Sequence, residues 1–165
     1  MKKMFSPAIL AAVGVLTLGL ASTAAHATTT TTTTFAVTAN VQATCVVSAA
    51  PLSFGTYNGV LNNATSTVNV TCTNSTPYNV GLDQGTATGA TVTTRKMKNG
   101  ANLLNYSLFS NSGMTTNWGN TVGTDTVTGT GSGASQSLTV YGQVPAGQYV
   151  TPGSYSDTIT ATVTY

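Results

Sequence analysis

The sequence predicts an all-β fold, a β-sandwich of immunoglobulin type, on three observations. Threonine dominates the chain, with 35 Thr beside 14 Ser, 13 Asn and 17 Gly; Thr favours strands, whereas Gly and Asn favour turns. Several segments alternate strictly between apolar and hydroxylic residues, the period of a half-buried strand. Turn signals recur between them at short intervals over about 120 residues, the spacing of a sandwich. A small closed barrel is the alternative.

The elements follow in order. Phe35, Val37, Ala39, Val41 and Ala43 alternate with Ala36, Thr38, Asn40, Gln42 and Thr44 and predict a first strand with one apolar stripe. Leu52 to Tyr57 predicts another, and in Ser66 to Cys72 the residues Val68, Val70 and Cys72 share one side. Tyr78 to Asp83, Leu103 to Phe109 and Val122 to Thr128 follow, and Ser137 to Val144 turns Leu138, Val140 and Val144 inward. The last strand runs from Ser154 to Tyr165: every even position is Ser or Thr, while Tyr155, Ile159, Ala161, Val163 and Tyr165 share the other face with Asp157. A carboxylate on that side reads as a hydrogen-bonded structural group. Loops are marked at 85–89, by Asn111-Ser112-Gly113, by 129–133 and by Pro152-Gly153. Arg95, Lys96 and Lys98 read as a solvated hairpin tip turning at Asn99-Gly100; contact with acidic surfaces or lipid headgroups is the alternative.

Residues 1–27 carry the three-part pattern of a secretory leader: Lys2 and Lys3, an apolar run from Pro7 to Leu20, and Ala25-His26-Ala27 as the cleavage site. A membrane anchor is the alternative, but 14 residues fall short of the about 20 a span needs. The expected organisation is then a signal peptide at 1–27, a tether and first strand at 28–43, and one domain at 44–165. The tether is the run of seven threonines from Thr28 to Thr34.

Composition excludes several functions. Only 5% of residues are charged, Glu is absent, and the carboxylates are Asp83, Asp125 and Asp157. His26 falls in the leader, so the mature chain has no imidazole for a triad or a metal, and neither an enzyme nor a cofactor nor a small-molecule substrate is expected. Removing Lys2 and Lys3 from the formal charge of +2 leaves Arg95, Lys96 and Lys98 against three aspartates, a net charge of zero; nucleic-acid binding lacks its electrostatic basis. A secreted carbohydrate-binding module using Trp118 and Tyr149 is a further alternative. Cys45 and Cys72 are the two cysteines, and an even count in an exported chain argues for one disulfide; two free buried thiols are the alternative.

The two ends of the mature chain pose complementary problems. The last strand finishes at Tyr165 with its apolar side uncovered, an edge that invites pairing. The first strand has a matching stripe on a flexible leash. It either pairs within its own chain or enters the groove of the next copy, as in strand addition. Burying Phe35, Val37 and Val41 in such a groove, with less from Ala39, contributes about 5 to 10 kcal/mol before ordering costs. Donor and acceptor surfaces differ, so the contact does not close and propagates as a fibre.

The stretch Tyr141-Gly142-Gln143-Val144-Pro145-Ala146-Gly147-Gln148, then Pro152-Gly153-Ser154-Tyr155-Ser156-Asp157-Thr158-Ile159 and the ending Val163-Thr164-Tyr165, resembles the spore coat protein U domain family, which includes pilins of the archaic chaperone-usher pathway. Ala43-Thr44-Cys45, Phe54-Gly55, Val70-Thr71-Cys72, Leu104 to Phe109 and Trp118-Gly119 extend the likeness over essentially the whole mature chain. The resemblance implies an incomplete immunoglobulin-like sandwich completed by a donated strand, a periplasmic chaperone that lends one temporarily, and an outer-membrane usher where the next subunit's N-terminal segment replaces it. It implies export through the periplasm to the cell surface and a homopolymeric pilus serving adhesion or biofilm formation. Phe35, Val37, Ala39 and Val41 become the donor side chains, and Ile159, Ala161, Val163 and Tyr165 part of the acceptor groove. Cys45 and Cys72 match the family's disulfide positions. The threonine run departs from what the family has before a donor strand. A minor pilus subunit and a spore or surface coat protein are the alternatives to a shaft subunit.

Overall fold

The computed structural model describes residues 27–165. Residues 1–26 of the expected leader lie outside them. The chain divides into a unit ending at Thr38 and a unit comprising Ala39–Tyr165. In the first, the described residues 27–38 form no strand, and the side chains of Phe35 and Val37 are 84% and 83% exposed.

The second unit is a two-sheet all-β sandwich, and no helix occurs among the described residues. Its strands are β1 (Cys45–Ala49), β2 (Asn62–Cys72), β3 (Pro77–Leu82), β4 (Arg95–Asn99), β5 (Asn102–Phe109), β6 (Val127–Thr130), β7 (Ser135–Val144) and β8 (Ala161–Thr164). One sheet has five strands in the order β1-β2-β7-β5-β4, the other three in the order β6-β3-β8. Every ladder is antiparallel. Two separate sheets replace the barrel alternative.

The alternation read from the sequence sets which side chains face inward. Val68, Val70 and Cys72 of β2, Val140 and Val144 of β7, and Leu104, Tyr106 and Leu108 of β5 pack against Tyr78, Val80 and Leu82 of β3 in one core. Trp118 sits among them at 1% exposure. Its indole N–H donates to the Val80 carbonyl at 2.8 Å, and its backbone N–H to the Leu108 carbonyl at 3.0 Å, so it joins the two sheets. That burial removes Trp118 as an exposed sugar platform. Cys45 and Cys72 face each other across the β1–β2 ladder and form a disulfide.

Several elements depart from expectation. Leu52 to Tyr57 is not a strand: Gly55 has φ 64°, and the carbonyls of Phe54 and Thr56 accept from the side-chain amide of Asn62 at 2.8 and 3.3 Å instead of from a neighbouring strand. Leu52, Phe54 and Tyr57 still pack on the core. The segment before β6 is a turn, because the Asp125 carboxylate accepts from the Thr121 N–H at 2.7 Å and the Thr124 N–H donates to the Thr121 carbonyl at 3.0 Å. The first strand expected at Phe35 to Ala43 is absent as a paired strand; pairing starts at Cys45.

The basic cluster differs most. Arg95 to Asn99 is a strand, and the turn after it is Gly100-Ala101, with Gly100 at φ 58°. Arg95 is 0% exposed. Its guanidinium donates to the carbonyls of Asp83 (2.8 Å), Val92 (2.6 Å), Leu82 (2.9 Å) and Trp118 (2.7 Å). The fork of five donors matches four converging carbonyls, three of which (Asp83, Val92 and Trp118) lie outside the strands. Burial lowers the Arg95 pKa from its ordinary value, and nearby Tyr106, Asp83, Asp125 and Asp157 counteract this only in part.

Candidate functional site

The last segment of the chain changes sheets. Ser156 pairs with Lys98 of β4 through N–H···O bonds of 2.8 and 3.1 Å in opposite directions, whereas Ala161–Thr164 pairs with β3 of the other sheet. Between the two points the backbone is held by aspartates instead of a ladder. The Asp83 carboxylate accepts from the Thr160 N–H at 3.0 Å, the Asp83 N–H donates to the Thr160 carbonyl at 3.1 Å, and the Asp157 carboxylate accepts from the Thr158 N–H at 2.8 Å. The inward and outward alternation of residues 154 to 164 nevertheless survives intact. Only Ala161–Thr164 of the expected Ser154 to Tyr165 strand is therefore regular.

Beside this segment lies an open groove of about 470 Å³. Ala49 at the end of β1, residues 50–52 and Phe54 form one wall; Tyr155 to Ile159 and Ala161 form the other; Val68, Leu82, Met97, Tyr106, Leu108 and Val140 also line it. Each wall belongs to an edge. β1 pairs only with β2 and β8 only with β3 among the described residues, so both flanks facing the groove carry unpaired backbone. The trough opens past Ala49 and Ala161, the residues of β1 and β8 on its lining, while β1 and β8 themselves lie side by side; an apolar trough beside free strand edges is a place where one more strand can add.

The walls are fixed from below. Phe54 meets Tyr106 edge to face at 6.1 Å between centroids. A Cβ on Gly142 of β7 would come within 2.9 Å of both Leu52 and Phe54, so glycine there lets this wall lie on the sheet. On the opposite wall the Asp157 carboxylate accepts from the Thr86 N–H (2.8 Å), the Thr86 hydroxyl (2.9 Å) and the Tyr106 hydroxyl (2.8 Å). Burial pushes the Asp157 carboxyl up, but the bonds from Thr86, Tyr106 and Thr158 outweigh it and hold the group below the usual carboxylate range. Burial, with the bond to Asp157, pushes the Tyr106 phenol far above its ordinary value.

Of the acceptor residues expected from the sequence, Ile159 and Ala161 line the groove; Val163 packs on the core, and Tyr165 is exposed and outside the lining. Of the donor residues, Phe35 and Val37 belong to the unit ending at Thr38, while Ala39 and Val41 are exposed members of the second, with Val41 at 79%. Leu52, Phe54, Met97 and Tyr106 are groove residues that the sequence reading did not assign. The alternation in Leu52 to Tyr57 carried the signal for two of them. Among the described residues no group of three His, Cys, Asp or Glu comes together to hold a metal.

The model of the spore coat protein U domain matches residues 31–162. The chain is 36% identical over 145 residues to Protein U of Myxococcus xanthus, covering 77% of this chain and 80% of that protein. Its fold is similar, at a TM-score of 0.58 and 24% identity, to a chain in the crystal structure of the CsuC-CsuE chaperone-tip adhesion subunit pre-assembly complex from archaic chaperone-usher Csu pili of Acinetobacter baumannii. That likeness covers 76% of this chain and 40% of the other, so the chain spans well under half of the solved one.

Proposed function

The chain belongs to the spore coat protein U domain family, and on that premise we propose that it is an exported structural subunit that polymerises into a surface pilus by donated strand. The observation that carries this reading is the apolar groove that opens beside the unpaired edges of β1 and β8. The segment Phe35 to Ala43 of one copy fills the groove of the next, with Phe35, Val37, Ala39 and Val41 inward. Val163 and Tyr165 lie along the same edge and offer backbone pairing. The exposure of Phe35, Val37 and Val41, side chains that normally seek cover, supports their role as donors.

An empty groove of this kind aggregates unless shielded. A periplasmic chaperone fills it until an outer-membrane usher exchanges its strand for the next subunit's segment. The similarity to a chain from a chaperone–subunit complex supports that route. The leader at 1–27 starts the export, and the fibre serves adhesion or biofilm formation at the cell surface. A second reading, a coat-layer subunit using the same exchange, is favoured by the 36% identity to Protein U.

Phe35→Asp and Val37→Asp, introduced together, test the proposal. The variant is expected to be recovered with a chaperone in wild-type yield and to stop polymer growth. Equal loss of chaperone binding and growth would assign residues 35–43 to the subunit's own fold.

A further inference from the structure

We infer that the end of the sandwich bearing Val60, Leu61 and Tyr149 is the seat for the body of the neighbouring copy of this chain, a second contact beyond the groove. The inference rests on the strand-donation reading above.

Register defines the two ends. Cys45 of β1, Cys72 of β2 and Thr164 of β8 lie at one end, since β3 starts just after the turn that follows Cys72 and its Asn79 pairs with Thr164. Ala49, Asn62 and Val144 lie at the other. At that second end the Gly147 N–H donates to the Gly59 carbonyl at 2.8 Å, and the Tyr149 ring lies against Gly59. Tyr149 is 90% exposed, and Val60 and Leu61 are 60% and 54% exposed. Three large apolar side chains clustered at the surface mark an interaction patch.

The occupant follows from chain length and direction. β1 and β8 run in opposite directions, so a strand lying beside both is antiparallel to one and parallel to the other; antiparallel to β8, it enters beside Thr164 and leaves beside Tyr155. There the groove runs into a second hollow of about 660 Å³ that shares Leu52, Phe54, Met97 and Tyr155 and reaches Gly59 and Tyr149. Only Thr44 separates Ala43 from Cys45, where the donor's own β1 begins. Two extended residue steps span about 7 Å. The donor's body, led by its Thr44 and its Asn74-Ser75 turn, is thus held against the acceptor's Val60, Leu61 and Tyr149. The opposite insertion would bring like ends together, whereas this one stacks unlike ends and extends the fibre.

Hydrogen exchange on the full mature chain tests this, comparing polymer with the Phe35→Asp, Val37→Asp monomer. Slower exchange at 57–61 and 148–151 as well as at 158–163 is expected in the polymer. Slowing at 158–163 alone overturns the second contact and leaves strand donation standing; slowing at neither overturns both. An independent variant, Val60→Asp with Tyr149→Asp, is expected to polymerise as wild type but to give fibres several-fold more flexible by electron microscopy. Unchanged stiffness contradicts the inference, and loss of polymer with exchange at 57–61 already unslowed in the wild type does so equally.

Discussion

The Tyr106 hydroxyl donates to the Asp157 carboxylate at 2.8 Å, tying the floor of the groove to its β8-side wall. Tyr106 belongs to β5, so this bond runs from the five-stranded sheet to the segment that crosses to the other.

Asp157→Asn and Tyr106→Phe are each expected to lower stability by about 1 to 3 kcal/mol, since each leaves partly buried partners unsatisfied. Chemical denaturation of the two variants and of the pair measures this, and the double variant is expected to lose less than the sum.

The same bond predicts a pH dependence. The folded-state pKa of Asp157 lies below the ordinary 3.8, so its contribution is present above that value and is lost as pH falls through the folded pKa. The stability difference between wild type and Asp157→Asn is expected to be constant near neutrality and to shrink in acid. Tyr106 is shifted upward from 10.0, so its contribution is complete below that pH and is lost only as pH rises toward the folded value. Absorbance titration is expected to show this phenol ionising only well above 10.0.

Arg95→Lys is expected to cost more than about 3 kcal/mol, because one ammonium cannot reach the four carbonyls that the guanidinium satisfies. The loss is read by denaturant midpoint.

Much of this was legible in the sequence. Alternation in 66–72, 137–144 and 154–164 gave the inward faces of β2, β7 and the last segment, because side-chain direction follows the pleat. Regularity of the backbone was not legible in the same way. Residues 157–160 keep the alternation while the Thr158 N–H is bound by Asp157 and the Thr160 N–H and C=O by Asp83; the bonds to Asp83 are long-range and no local pattern encodes them. Arg95 reads as solvated beside Lys96 and Lys98, and only the tertiary convergence of four carbonyls buries it. The groove was inferred from a bare last strand, but Met97 and Tyr106 reach it by packing across sheets.

Gly142→Val is expected to displace Leu52 and Phe54, costing about 1 to 3 kcal/mol. Binding of a synthetic peptide spanning residues 33–44 is expected to weaken by at least about tenfold, equivalent to ~1.4 kcal/mol. Calorimetry on a folded, monomeric form checks it, and wild-type peptide affinity would separate this wall from the binding groove.

Multimer formation by the mature chain with and without residues 28–43 tests strand donation most directly. The full chain is expected to give a ladder of heat-resistant, SDS-stable multimers, and the truncated chain none, the 33–44 peptide capping its groove one to one. An identical ladder from the truncated chain would contradict the account.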